Sequence, residues 1–296
     1  MSFIEGEIAS QPAAWRQAAE LAATADVSST LPESGARVAV VGCGTSLYMS
    51  QAFAALRESN GHGETDAFAA SEFPSTRSYD HVVAITRSGT TTEVLRLLGN
   101  LPKSQRSTVI TTSMSLPVGA LARQTVALDF ADEQSVVQTR FATAALALWR
   151  GHLGEDLSAA IADAEAELVR ELPEGIVDRR QITYLGTGWT VGLANEAALK
   201  VREAAQAWAE AYPAMEFRHG PISIIDDRSA VWIFGTPPDG LVDEVTRAGA
   251  LVVTSDIDPM AHLIGAQRYA VAVAQSRGLN PDVPRNLTRS IILASA

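Results

Sequence analysis

The chain is short of several things, and each shortage removes a class of function. Among its 296 residues there is one cysteine, Cys43, which excludes an intrachain disulfide framework and fits a reducing compartment. Basic side chains are outnumbered, 23 Lys and Arg against 34 Asp and Glu, for a net charge of −11. A chain this acidic lacks the basic footprint of non-specific nucleic-acid binding, so no nucleic-acid partner is expected. It also cannot hold an anionic ligand by overall charge, so local dipoles and hydroxyls must do so. No apolar run reaches the length of a membrane span and no charged-then-apolar leader opens the sequence. We therefore expect a soluble, cytoplasmic protein with no membrane partner. Gly-Lys-Ser/Thr does not occur, which removes phosphate loops of the Walker type. Cysteine, histidine and carboxylates do not cluster at ligand spacing, so neither a metal nor a cofactor is expected.

What is present is an alternation of buried-strand and helix patterns. Runs at 37–41, 81–86, 107–112 and 125–129 read as strands, with helices over 47–56 and 92–98 and a short one over 116–121. An apolar stripe of Trp15, Ala18, Ala19, Ala22 and Ala23 predicts a helix before them, and two helices, over 136–150 and 157–172, follow. The pattern then restarts: strand 181–186, a long helix over 190–210, strands 230–235 and 250–254, and a last helix over 259–277. Strands alternating with helices imply right-handed crossovers and mainly parallel sheets covered on both faces, an α/β fold of three αβα layers. Val41-Gly42-Cys43-Gly44-Thr45-Ser46 and Leu185-Gly186-Thr187-Gly188-Trp189-Thr190 share the same strand, Gly-x-Gly, hydroxyl and helix order, 144 positions apart (42 to 186). Two similar halves follow from that echo, expected at 1–153 and 154–296.

The first glycine turn can cradle a phosphate. Gly42 and Gly44 permit a sharp turn and close approach of a ligand, and Thr45 and Ser46 are expected at the cap of the next helix, with free amides behind them. Thr86-Arg87-Ser88-Gly89-Thr90-Thr91 repeats the device after the next strand. Plain helix caps are the competing reading of either turn alone, and a dinucleotide fingerprint is disfavoured because Leu47 stands where its third glycine belongs.

The second constellation is Glu196, Lys200 and Glu203, at i, i+4 and i+7 on one helix face. A solvated salt-bridge stripe competes with a functional reading. However, Leu193, Ala197, Ala198, Val201 and Ala205 make most of the helix apolar, and a buried helix carrying three charges has a use for them. His219, between Arg218 and Gly220-Pro221, sits on a turn rather than on an apolar face.

In order along the chain, Glu7–Pro12, Gly44-Thr45-Ser46, Ala70–Phe73, Thr86–Thr91, Glu133–Arg140, Glu196–Glu203, Ala209–Pro213, Arg218–Pro221 and Pro284–Leu287 resemble the motifs of the sugar isomerase (SIS) family. The likeness is greatest to its two-subdomain members: the isomerase half of glutamine–fructose-6-phosphate amidotransferase and the related phosphosugar isomerases, deaminases and deglycases. The resemblance implies two tandem SIS subdomains and a homodimer with shared active sites. It implies phosphate or sugar contacts from Thr45, Ser46, Thr86, Arg87, Ser88, Thr91, Gln138, Glu196 and Arg289. It implies Glu203 as the base moving a proton between C1 and C2, His219 as the ring-opening histidine supplied by the neighbouring subunit, and Lys200 near the reacting end. The substrate implied is a hexose or hexosamine 6-phosphate.

The sequence departs from that pattern at several places. It carries no glutaminase portion and has Ser2 in place of a nucleophilic cysteine, so glutamine-dependent amide transfer is not expected of this chain alone. Arg87 stands for a glutamine, Thr90 for a glutamate and Gln138 for a serine, and Arg289 replaces a tail lysine. An arginine can bind charge there but cannot form an imine or shuttle a proton. The competing class is a non-catalytic SIS module that senses a phosphosugar; Glu203, Lys200 and His219 argue for the enzyme.

Overall fold

A computed structural model describes residues 2–294. The chain divides into two compact units that draw on interleaved stretches of sequence. One comprises Ala13–Glu133, Arg140–Leu157 and Thr288–Ala296, the other Met1–Pro12, Gln134–Thr139 and Ser158–Leu287. The chain opens with helices α1 (Phe3–Ala9), α2 (Gln11–Ala22) and α3 (Ala25–Ser28).

The first unit is built on five parallel strands, β1 (Val38–Gly42), β2 (Thr65–Ala69), β3 (His81–Ile85), β4 (Arg106–Thr111) and β5 (Gln124–Ala127), in the order β2-β1-β3-β4-β5. Between them run α4 (Thr45–Ser59) and α5 (Thr92–Asn100), and α6 (Arg140–His152) follows. Strands β1 and β3 are wholly buried runs of Val, Ala and Ile apart from Gly42 and His81, as central parallel strands covered on both faces must be. On one face Phe53 of α4 stacks on Trp149 of α6 at 3.8 Å between ring centroids. Trp15 of α2 reaches the same helix by donating its indole N–H to the Thr143 hydroxyl, at 2.8 Å.

The second unit has four parallel strands, β6 (Gln181–Gly186), β7 (Ala209–Pro213), β8 (Ser229–Ile233) and β9 (Leu251–Val253), in the order β7-β6-β8-β9. Its helices are α7 (Ser158–Glu167), α8 (Thr190–Ala205), α9 (Leu241–Arg247) and α10 (Pro259–Ser276). The α10 start is well specified: Pro259 follows Asp258, whose carboxylate accepts from the Met260 amide at 2.8 Å. Helix α1 and the segment 134–139 join this unit through Glu7, whose carboxylate accepts from the amide of Ser135 at 3.2 Å and also binds its hydroxyl. Among the described residues no helix is long and apolar enough to cross a membrane.

The expected elements differ from these in several places: strand β2 was not expected, and the helix expected over 157–172 ends at Glu167. The long helix 190–210 stops at Ala205, because Gln206 takes the left-handed conformation (φ 50°) and the chain turns into β7, which carries Glu210. The helix expected from 136 begins at Arg140, because residues 134–139 run irregularly against Glu7. The short helix over 116–121 is a single 3-10 turn, Pro117–Ala120. Thr45 and Ser46 are not caps: Gly44 holds the cap position with φ 55°, and the two hydroxyl residues lie inside the first turn.

Candidate active site

In the five-stranded unit the strand order reverses between β1 and β3, which lie side by side with Val41 opposite Ala84. Ligands of open parallel sheets gather at such a reversal, beyond the carboxyl ends of the strands. Both hydroxyl turns emerge there. After β1, Gly42 lets the start of α4 fold back against the strand, since a Cβ at that position would stand 2.6 Å from the Ser46 carbonyl carbon. After β3, Gly89 (φ 61°) packs under Leu116, where a Cβ would meet the side chain at 2.6 Å. The Thr86 hydroxyl accepts from the Gly89 amide at 3.3 Å and the Ser88 hydroxyl from the Thr90 amide at 3.3 Å. These bonds draw the loop into a tight nest, with the Ser88 and Thr91 hydroxyls 3.3 Å apart at the start of α5.

Beneath the nest lies an ion pair. Arg87, 2% exposed, places its guanidinium 3.8 Å from the Glu133 carboxylate, which also accepts from the Arg140 amide at 2.7 Å. Arg87 donates as well to the carbonyl of Arg289 at 3.3 Å. The Arg289 side chain binds the Asp132 carboxylate and the Glu133 carbonyl. Both arginines therefore hold protein partners. Cys43, in the first turn, has its thiol pushed up to about 11 by burial, helped by the Glu93 carboxylate.

In the four-stranded unit α8 is buried along most of its length, with Leu193, Ala194, Ala197, Ala198, Val201 and Ala204 all inside. Glu196 is fully buried and Lys200 is 1% exposed. The Lys200 ammonium lies 3.4 Å from a Glu196 oxygen and 2.5 Å from a Glu203 oxygen. A lysine is tolerated at such depth only when paired, and the pair of carboxylates supplies that pairing. The solvated-stripe reading of this spacing is thereby removed for Glu196 and Lys200, while Glu203 stays half-buried.

His219 ends a short 3-10 turn, Glu216–His219, just after β7. Its neighbours hold the turn down. Phe217 is wholly buried among Leu185, Val231 and Leu241, and Arg218 grips the Glu244 carboxylate with two bonds of 2.8 and 2.9 Å. His219 itself is exposed, and Gly220 beyond it (φ 140°) adopts a conformation that side chains rarely take. Gln138 is half-buried in the 134–139 segment, with a side-chain oxygen that has no hydrogen-bond partner among the described residues.

The structure thus gathers Thr86, Arg87, Ser88, Thr91 and Arg289 around one turn of the five-stranded unit, with Thr45 and Ser46 at the neighbouring strand end. Glu196, Lys200 and Glu203 meet on α8. Sequence reasoning missed Ser290, which joins the hydroxyl nest from some two hundred positions away (3.1 Å from Ser88). A single serine in an otherwise unpatterned stretch gives no local signal of such a contact. The Arg218–Glu244 clasp was also missed, for the same reason.

No protein-family model matches the chain. A glutamine–fructose-6-phosphate aminotransferase (isomerizing) of Sulfolobus acidocaldarius is 29% identical over 88% of this chain and 50% of its own length, so the chain spans about half of that relative. Among solved structures, a glucosamine-6-phosphate deaminase of Thermotoga maritima superposes with a TM-score of 0.81 at 21% identity, covering 99% of this chain and 100% of that one. A tagatose-6-phosphate ketose/aldose isomerase of Escherichia coli gives 0.81 at 20% identity, covering 99% and 96%. With its two parallel sheets and its ordered motifs, the chain has the fold of the sugar isomerase (SIS) family and resembles the isomerase domain of the glutamine–fructose-6-phosphate aminotransferases.

Proposed function

We propose that the protein is a cytoplasmic phosphosugar enzyme that moves a proton between C1 and C2 of a hexose or hexosamine 6-phosphate. The observation that carries this reading is the buried Glu196–Lys200–Glu203 group: an ammonium at 1% exposure between two carboxylates, one of them fully buried. A stripe that served only solubility would not be built inside a helix packed on most sides.

The chemistry follows from the residue types. The hydroxyl nest and the amides at the start of α5 suit a phosphate dianion, through hydrogen bonds and the helix dipole rather than net charge. His219 carries a proton between the anomeric hydroxyl and the ring oxygen, opening the sugar. Glu203 takes the proton from C2 of the open aldose as O1 gains a proton, leaving a cis-enediol, and returns it to C1 as the C2 hydroxyl loses its proton, giving the ketose. Lys200 holds the Glu203 carboxylate in place and sets its charge environment. With an amine at C2, the same transfer leaves an imine at that carbon, and water adds to release ammonia. Isomerase and deaminase are thus one proton path with two substrates, in keeping with relatives and fold neighbours named for both. We further propose a homodimer in which each His219 serves the partner's site.

The test is incubation with a panel of hexose, hexosamine and fructosamine 6-phosphates in deuterated water. Deuterium entering C1 or C2 is the expected result. Exchange without ammonia identifies the isomerase, and release of ammonia or amine the deaminase or deglycase. Tight binding of a phosphosugar with no exchange in any of them would replace the enzyme by a phosphosugar sensor.

A further inference from the structure

The hydroxyl nest after β3 is engaged by the chain itself. The Ser290 hydroxyl lies 3.1 Å from that of Ser88, 3.0 Å from that of Thr90 and 3.4 Å from that of Thr91. The next carbonyl, of Ile291, accepts from the Thr92 amide at 3.1 Å. That amide belongs to the first residue of α5, one of the donors that a helix leaves without an internal partner. Further along, the Leu293 amide donates to the Thr92 hydroxyl at 2.9 Å. The segment is anchored on its other side by the Arg289 carbonyl on Arg87 and by the Arg289 side chain on Asp132 and Glu133.

One hydroxyl and one carbonyl of the 289–293 segment thus use the groups that a phosphate would use: three clustered hydroxyls and an N-terminal helix amide. A phosphate dianion brings more acceptors and full charge, so it makes stronger bonds to the same donors. The two cannot both take the Thr92 amide, which has a single proton. The Ser290 hydroxyl also stands where an oxygen of an anion contacting Ser88, Thr90 and Thr91 together must lie.

We propose that residues 289–293 are an intramolecular stand-in for the phosphate, and that a phosphorylated ligand must displace Ser290 from the nest in order to bind. The inference rests on the phosphate-binding role proposed for this turn and concerns its regulation. Self-occupancy lowers apparent affinity by the fraction of molecules in which the nest is free, and removing the occupant returns that factor. Displacement also releases Arg289 and its neighbours to move when the site fills, so the phosphate end of the substrate is coupled to the conformation of this segment.

The test is calorimetric titration of the whole protein with inorganic phosphate, in wild type, Ser290→Ala and Ser88→Ala. We expect Ser290→Ala to bind phosphate several-fold tighter than wild type and Ser88→Ala to lose binding. Equal or weaker binding by Ser290→Ala, with loss in Ser88→Ala, overturns the self-occupancy while leaving the nest as the phosphate site. Unchanged binding in Ser88→Ala removes the nest as the phosphate site, and the inference with it. Hydrogen exchange on wild type reads the same event without substitution. Phosphate should speed exchange of the Leu293 amide if the segment is expelled, while the Thr92 amide stays protected by the anion; protection of the Leu293 amide on phosphate addition would overturn the displacement.

Discussion

At the scale of single residues, the chemistry assigned to Glu203 separates from the binding assigned to the hydroxyl nest. Replacing the carboxylate by an amide keeps shape and polarity but removes the proton acceptor. Glu203→Gln should lower C2-proton exchange by on the order of 10²–10⁴-fold while phosphosugar affinity changes little, as followed by NMR exchange and by titration. Exchange surviving in this variant would remove Glu203 from the role of base. Cys43 tests the environment of the first turn. Burial, with Glu93 nearby, raises its thiol from the ordinary range to about 11. The nucleophilic thiolate is then scarcer at neutral pH by on the order of 100-fold than for a free cysteine. Alkylation with iodoacetamide at pH 7.5 should be correspondingly slow, rising up to pH 11 and accelerating on unfolding; a rate equal to that of a small thiol would contradict the burial.

At the scale of elements, the two glycine turns make the same demand. A Cβ on Gly42 would stand 2.6 Å from the Ser46 backbone, and one on Gly186 would stand 2.3 Å from the Thr190 carbonyl oxygen. The opposing atoms are backbone and cannot rotate away. Gly42→Ala and Gly186→Ala should each destabilise their unit by about 1–3 kcal/mol, seen as a lowered calorimetric midpoint. Strand β3 carries a second prediction. His81 is buried with Nε2 at 2.8 Å from the Thr108 hydroxyl, which itself donates to the Thr30 carbonyl at 2.6 Å. The histidine must therefore donate from Nε2, and its other nitrogen has no hydrogen-bond partner among the described residues. Burial, then Arg106 and Arg57, pull it down to about 4 from 6.5. Between those values the unfolded chain takes up a proton that the folded chain refuses, so stability falls as pH drops from 6.5 towards 4. The loss is on the order of 3 kcal/mol. Chemical denaturation across that range should show it, with a flatter profile in His81→Gln.

Legibility in sequence follows how local each cause is. Strands β1 and β3 were readable because burial on both faces writes an almost unbroken apolar run, β6 because Ile182, Tyr184 and Leu185 lead into its glycine turn, and α10 because Pro259 marks its start. Strand β2, Thr-Asp-Ala-Phe-Ala, lies at the sheet edge with four of its five residues half-buried, so its pattern is weak. The start of strand β7 fell within the expected helix, because the break at Gln206 uses a left-handed residue that is not glycine. In the candidate site, the hydroxyl turns and the α8 face were visible because turn and helix spacing are local. Ser290 on Ser88 and Arg218 on Glu244 were not, because only the folded chain brings them together.

At the scale of the whole molecule, the proposed exchange of His219 between subunits makes a prediction that no single chain can meet alone. Two inactive variants, Glu203→Gln and His219→Ala, would each spoil every site in their own homodimers. In a mixed dimer one shared site carries both changes and the other carries neither. Random mixing after mild dissociation should then restore about a quarter of wild-type turnover. No recovery in dimers shown by native mass spectrometry to be mixed would confine each site to one subunit.

The interleaving of the two units has a further consequence for how the protein is made. The first amides of α1, on Phe3 and Ile4, are held by the Asp282 carboxylate at 2.9 and 2.8 Å. On the ribosome those amides emerge well ahead of their acceptor, which lies 278 positions after Ile4. The five-stranded sheet, complete in its strands by Ala127, has every partner strand available long before that. Helix α1 must therefore wait for its acceptor while the residues between them are made, with Ile4 and Ile8 lacking the cover they have in the folded unit.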